Sequence, residues 1–293
     1  MTTGQETSSL DSVSRWWGAR GQATAPPNGR DTLLARAVKA PATWLVLLVS
    51  LSSLIRAVIG LRVASPWILP DEAVYSELAK SIAAGERPSI RDVPVFGWGE
   101  VYPALLAPAW ALFDDPYWAY RAALLINALI MSLAAVPAYF LARIFVTRRV
   151  ALLAATMTVL VPSMAYTGVV MTENACYPAF LLAVLLVTRA VRLPTVANQA
   201  LALTGLGLVA FTRIQTAALV GAYGVAVVVY ALTAPRHERF AYARRFWPTL
   251  ALVVPVVLAP FALSVARGEG PFGWLGARSA PNRLDSATGS VLP

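Results

Sequence analysis

Three short polar stretches interrupt a mostly apolar chain: Asp71-Glu72, Glu173-Asn174 and Arg213. Their residue types suit acid–base and anion chemistry. A positioned carboxylate can take a proton from a hydroxyl. A guanidinium pairs with phosphate through a planar fork of donors. Each residue also has a plain structural reading. Asp71 is expected to cap the helix that begins there, with Glu72 favouring that helix's dipole. The cap is compatible with catalysis, because a capping carboxylate can still present an oxygen to the loop. Glu173 can sit at a helix start for the same electrostatic reason. Arg213 lies between Val209-Ala210-Phe211 and Ile214, where it can snorkel from a helix end or clamp an anion. Arg56, inside another apolar run, is open to the same two readings. Tyr102, before Pro103, reads as an interfacial aromatic or as a ligand contact. Carboxylates and an arginine on one membrane face suit a reaction that needs a base and a phosphate binder. No G-x-x-x-x-G-K-S/T or G-x-G-x-x-G segment occurs, so a phosphate-bearing donor is expected to be lipid-borne.

The elements that position these residues are read from hydropathy. Of 293 residues, 58% are hydrophobic and 13% charged, against about 25% charged in a soluble domain. The net charge is +9, but arginine gathers between apolar runs, the pattern of cytoplasmic membrane flanks. No nucleic-acid partner is expected. The single cysteine, Cys176, and the single histidine, His237, exclude an intramolecular disulfide and a Cys/His zinc site within one chain. His237 also lies far from every acidic cluster, so no Ser–His–Asp triad is read.

The expected fold is all-α, a polytopic transmembrane bundle of about seven spans with an outer-face amphipathic helix in its first loop. Residues 1–40 read as a disordered basic cytoplasmic tail. Spans are expected near 41–63, 118–146, 150–169 and 176–188. The stretch 196–232 is read as two further spans turning at Arg213. Arginines flank it on both sides, so an even number of crossings keeps both flanks inside. The last span is expected near 247–265. Residues 267–293 are expected to be an outer-face tail, the chain stopping within a loop as a truncated protein would. The catalytic loop is placed at 64–117, net acidic and outside. Within it Val74, Leu78 and Ile82 recur as an amphipathic stripe after Pro70-Asp71-Glu72. The apolar stretch 103–113 is too short to cross and reads as interfacial or re-entrant.

Several segments resemble the GT-C superfamily of membrane glycosyltransferases, in the bacterial branch related to protein O-mannosyltransferases and lipid A aminoarabinose transferases. They are Leu69-Pro70-Asp71-Glu72-Ala73-Val74-Tyr75, the helix ending Ala83-Ala84-Gly85, and Tyr102-Pro103-Ala104-Leu105-Leu106-Ala107-Pro108. Val170-Met171-Thr172-Glu173-Asn174-Ala175 resembles that family's second outer loop, and Ala210-Phe211-Thr212-Arg213 its later basic turn. The likeness spans about 41–266. It implies an integral glycosyltransferase of the plasma (inner) membrane, N-terminus cytoplasmic and catalytic face extracytoplasmic. It implies a sugar donor linked to polyprenyl phosphate, inverting transfer, and an acceptor hydroxyl on a glycan, lipid or protein. By the same likeness Asp71 is the general base. Glu72 and Glu173 shape the site, Arg213 binds the donor phosphate, and Tyr102 and Arg56 are further substrate-binding candidates. Some members use a divalent cation, for which Asp71 and Glu173 are the candidate ligands. Membrane lipids are the other expected partners. The competing readings are a multi-pass transporter or lipid flippase, and a truncated non-catalytic homologue. Transporters place their polar groups near the bilayer midplane, whereas these groups fall at helix ends.

Overall fold

The computed structural model describes residues 41–62, 69–91, 93–94, 99–161, 166–233 and 237–266. The expected tails at 1–40 and 267–293 lie outside these residues. The described residues from Trp44 onward belong to one compact unit, and of the preceding unit only residues 41–43 are described.

Helix α1 (Pro41–Gly60) is mostly apolar, interrupted by Thr43, three serines and Arg56. Val46, Leu47, Leu51 and Leu54 are all more than half exposed. In water such a strip would be a large uncovered patch; in lipid it is a solvated surface.

Helix α2 (Pro70–Ala83) begins differently from the sequence expectation. Leu69 is the N-cap and Pro70 the first helical residue, because proline's fixed φ and missing N–H suit that position. Asp71 is therefore not the cap. Glu72 reaches back instead, accepting from Leu69 N at 3.5 Å. The helix buries Glu72, Tyr75, Leu78 and Ala79, a face slightly rotated from the anticipated Val74-Leu78-Ile82 stripe. Gly85, at φ +75°, turns the chain out of it, a conformation that glycine adopts without a Cβ penalty. A small antiparallel pair follows, β1 (Ser89–Ile90) with β2 (Val93–Pro94), which the hydropathy pattern did not reveal.

Helix α3 (Val101–Leu112) has 12 residues, about 18 Å of axial length, and cannot cross about 30 Å of hydrocarbon. It packs on α2 and on α4 (Pro116–Ser132) through Tyr75, Leu78, Tyr102, Leu106, Tyr120 and Leu124. Asp115 caps α4 by accepting from Tyr117 N at 2.8 Å. The expected single helix to residue 146 is broken into α4 and α5 (Ala135–Ala142). Pro137 has no N–H for the Leu133 carbonyl, which accepts from Val136 N at 3.0 Å instead.

Helix α6 (Arg148–Leu160) stops well short of the expected residue 169. Val161 precedes Pro162 and is extended, φ −60° and ψ 133°, because a proline disfavours the helical region for its predecessor. Helices α7 (Glu173–Arg192) and α8 (Val196–Thr212) make the most extensive helix pairing. Arg213 is extended, φ −153°, and a 3-10 turn (Ile214–Ala217) leads into α9 (Ala218–Thr233). The helix break anticipated at Arg213 is present. A short helix α10 (Arg239–Arg244) and the apolar α11 (Trp247–Ala266) complete the described chain.

Among the described residues four stretches are long and apolar enough to span a membrane: Pro41–Gly60, Pro116–Ala142, Glu173–Arg192 and Ile214–Thr233. The expected count of seven is not established by these residues. Helix α6 and helix α8 are too short to qualify, the first for the proline reason above and the second because it ends at Arg213.

Candidate functional site

The polar islands meet at one end of the bundle. Glu72 is 3% exposed. Its Oε1 accepts from Tyr120 Oη at 2.9 Å and from Val170 N at 2.9 Å. A buried carboxylate held by such donors is a structural tie between the start of α2, α4 and the segment before α7. The plain dipole reading of Glu72 understates it.

The segment 166–171 is held further by two buried asparagines. Asn127 Nδ2 and Asn174 Nδ2 both donate to the Val169 carbonyl, each at 3.0 Å. Asn174 also donates to the Tyr166 and Met171 carbonyls, each at 3.1 Å. Backbone with no regular partner is thereby satisfied in the interior.

Glu173 opens α7, and its carboxylate pairs with the Arg213 guanidinium beyond the end of α8. Arg213 Nε also donates to Gln215 Oε1 at 3.2 Å. Burial alone would lower the Arg213 pKa, but the hydrogen bond and charge of Glu173 outweigh it and hold the value above normal.

Tyr75 brings these groups together. It lies one helical turn after Asp71, so both face the same way. Its phenol is pushed up, first by burial, with Thr172 opposing and the charges of Asp71 and Glu173 adding. Arg213 acts on it in the lowering sense. The charges of Asp71, Glu173 and Arg213 thus all reach one phenol. Asp71 is half-buried, and no hydrogen bond among the described residues engages its carboxylate.

Gly99 closes the arrangement. It sits at φ +82°, and a Cβ there would lie 2.4 Å from the Thr212 carbonyl oxygen. The end of the first loop is seated directly on the backbone preceding Arg213. Sequence reasoning missed Gly99, Tyr75, Tyr120 and Asn127. A glycine beside a run of aromatics and a tyrosine four residues after the carboxylate were the available signals.

Two candidates are placed elsewhere. Tyr102 is fully buried, 0% exposed, so it is not the interfacial aromatic expected. Its hydroxyl donates to Asn127 Oδ1 at 3.0 Å, and its ring meets Tyr75 edge-on with centroids 5.5 Å apart. Burial drives its pKa up, so the phenol stays neutral and supports Tyr75 from behind. Arg56 donates to Val159 O at 2.6 Å and to Ser52 Oγ at 3.1 Å. That ties α1 to the end of α6 and accounts for an arginine in an apolar helix without a ligand.

Among the described residues no three His, Cys, Asp or Glu side chains gather where they could hold a metal ion. Asp71 and Glu173 are two carboxylates, and Glu173 is engaged by Arg213. The residues present do not fit a three-ligand cation site, and no step is derived through one.

Residues 100–263, over half of the chain, match the dolichyl-phosphate-mannose-protein mannosyltransferase family. The chain belongs to this family. It is therefore a multi-pass membrane glycosyltransferase of the GT-C type, which displaces the transporter reading. The family match includes Tyr102, Glu173 and Arg213 and begins after Asp71 and Glu72. No curated protein and no solved structure matches the chain.

Proposed function

We propose that the protein transfers a sugar from a polyprenyl-phosphate donor to an acceptor hydroxyl at the extracytoplasmic face, inverting the anomeric centre. The observation that carries this reading is the ion pair between Glu173 and Arg213, with Asp71 near enough for its charge to act on the Tyr75 phenol that feels both. The Asp71 carboxylate has no hydrogen bond among the described residues and is available to a substrate beside the Arg213 guanidinium.

Asp71 takes the acceptor proton as the acceptor oxygen attacks the anomeric carbon. The bond from that carbon to the phosphate oxygen breaks on the opposite side, and its electron pair leaves with the polyprenyl phosphate. Arg213 neutralises the charge gathering on the leaving group. Its Nε and Nη1 are committed to Gln215 and Glu173, which fixes the guanidinium plane and leaves Nη2 to the phosphate. Glu173 is then a positioning residue. Glu72 positions too, holding the start of α2 against residue 170.

An apolar groove of about 340 Å³ supports a lipid-borne donor; Val101, Leu105, Leu133, Pro178, Leu208 and Thr212 are among its lining residues. Thr212 adjoins Arg213, so a prenyl chain along the groove brings its phosphate to the guanidinium.

The decisive experiment uses purified protein with a panel of polyprenyl-phosphate sugars. Asp71→Asn should insert and melt like the parent yet lose about a hundred- to ten-thousand-fold in transfer rate, the usual share of a general base. Full transfer by Asp71→Asn overturns the base assignment. Arg213→Gln should raise KM for the donor and lower kcat, since its charge acts on bound and departing phosphate alike.

A further inference from the structure

A second cavity, of about 500 Å³, opens between α9, α10 and the first turns of α11. It lies toward the end of the bundle away from Asp71, where Gln199 at the start of α8 ties to Arg245 O at 2.8 Å and to Thr249 Oγ1 at 2.6 Å. Its size falls in the range of about 300–1,000 Å³ typical of ligand cavities. The walls are chiefly apolar, Val227, Val228, Leu232, Phe246 and Val253 among them, so water would find few partners there.

Two polar features break this lining. Tyr223 is only 2% exposed, and its hydroxyl has no hydrogen-bond partner within 3.5 Å among the described residues. The Thr249 hydroxyl, which acts on the phenol from beside it, gives its own proton to Gln199 Oε1. A buried phenol without a well-placed acceptor is poorly satisfied, which suits an oxygen carried by an occupant. The second feature is Arg239, which contributes to the wall. On the same short helix and its end lie Arg244 and Arg245, both exposed, against the single carboxylate of Glu238. Phe240, 79% exposed, and Trp247, 65% exposed, flank these arginines. Basic and aromatic residues on α10 and at the start of α11 mark a lipid–water boundary.

We propose that this cavity is a binding site for one anionic phospholipid molecule, distinct from the donor groove. An acyl chain fills the apolar interior. Its ester carbonyl accepts from Tyr223 Oη, and its phosphate lies against the arginines of α10. The combination of one poorly satisfied phenol inside and several arginines at the rim matches the order of groups along a phospholipid: hydrocarbon, ester, charged phosphate.

Gly224 provides the test. It lies in the cavity wall, and a Cβ built on it meets nothing within 4 Å. Gly224→Leu should fill the space without clash. The full chain is equilibrated with detergent micelles holding equal phosphatidylglycerol and phosphatidylcholine, and retained lipid is counted by native mass spectrometry. The parent should retain one phosphatidylglycerol in preference to phosphatidylcholine. Gly224→Leu should lose that molecule while keeping the parent's melting temperature. Arg239→Gln should weaken the preference about tenfold, the scale of one charge-assisted hydrogen bond. Tyr223→Phe should weaken retention of both lipids. Equal retention by the parent and Gly224→Leu would mean unspecific boundary lipid and would overturn the site. So would a parent that does not distinguish the two headgroups. The readout is independent of sugar transfer.

Discussion

Glu72 Oε1 accepts from Tyr120 Oη and Val170 N, so removing its carboxylate orphans two donors from distant parts of the chain. Each orphaned group costs about 1–3 kcal/mol when buried. Glu72→Ala should lower the melting temperature in detergent clearly more than Tyr120→Phe does. Adding Tyr120→Phe to Glu72→Ala should recover part of the loss, because one orphan disappears; simple additivity would refute the coupling. Gly99→Ala is the second residue-scale prediction. With φ +82° and a Cβ 2.4 Å from the Thr212 oxygen, no small adjustment admits the methyl group. The variant should insert but show reduced transfer with an elevated donor KM, because the backbone that carries Arg213 must yield. Unchanged kinetics would mean that the loop seat is irrelevant to the site. Asp71, Glu173 and Arg213 were legible in the sequence because charge is rare in an apolar chain. Tyr75 and Gly99 were not. Their types are ordinary in membrane proteins, and only the packing of α2 on α3 and of the loop on α8 gives them meaning. The capping role expected of Asp71 went to Leu69, since the influence of Pro70 on helix start outweighs the preference for a polar cap.

At the scale of elements, α7 and α8 approach closely because small residues line their seam, with Ala183, Ala190 and Ala202 all buried. Small residues are the usual basis of tight helix contact in lipid, where apolar area alone gives no preference for protein. A Cβ on Gly205 would lie 2.9 Å from Leu186 Cδ1 and 3.3 Å from Ala183 Cα. Leu186 can move, but the backbone at Ala183 cannot move without separating the helices. Gly205→Val should therefore destabilise the protein by about 1–3 kcal/mol, the cost of overpacking, and should loosen the Glu173–Arg213 pair at the far end of both helices. The check is thermal unfolding together with hydrogen exchange at residues 205–213. Helix existence was largely readable from apolar runs. Helix ends were not, because hydropathy counts apolar residues whatever their backbone. Val161-Pro162 stops α6 and Pro137 splits α4 from α5, and both prolines sit in stretches as apolar as their neighbours.

For the whole molecule, sidedness is the claim on which an extracytoplasmic reaction rests. Glu86, beyond α2, and Arg244, on α10, are both exposed, and Cys176 is the single cysteine. In a Cys176→Ser background, Glu86→Cys should react with an impermeant thiol reagent in intact cells, and Arg244→Cys only after lysis. The reverse result would invert the orientation. The bundle character and the helix break at Arg213 were visible in the charge pattern. Span lengths were harder to read, since a 17-residue helix such as α8 sits at the lower edge of what a bilayer requires. The Glu72 tie also has a consequence for biogenesis. Its partners follow it by 48 and 98 residues, so at about 5–20 residues per second the ribosome adds the second only several seconds later. Until then the carboxylate has no interior to enter and stays wetted at the membrane surface. A nascent chain arrested before Val170 should leave Glu72 open to a carboxyl-modifying reagent, and release of the arrest should close it, so that the first loop is finished only after the middle of the chain has been made.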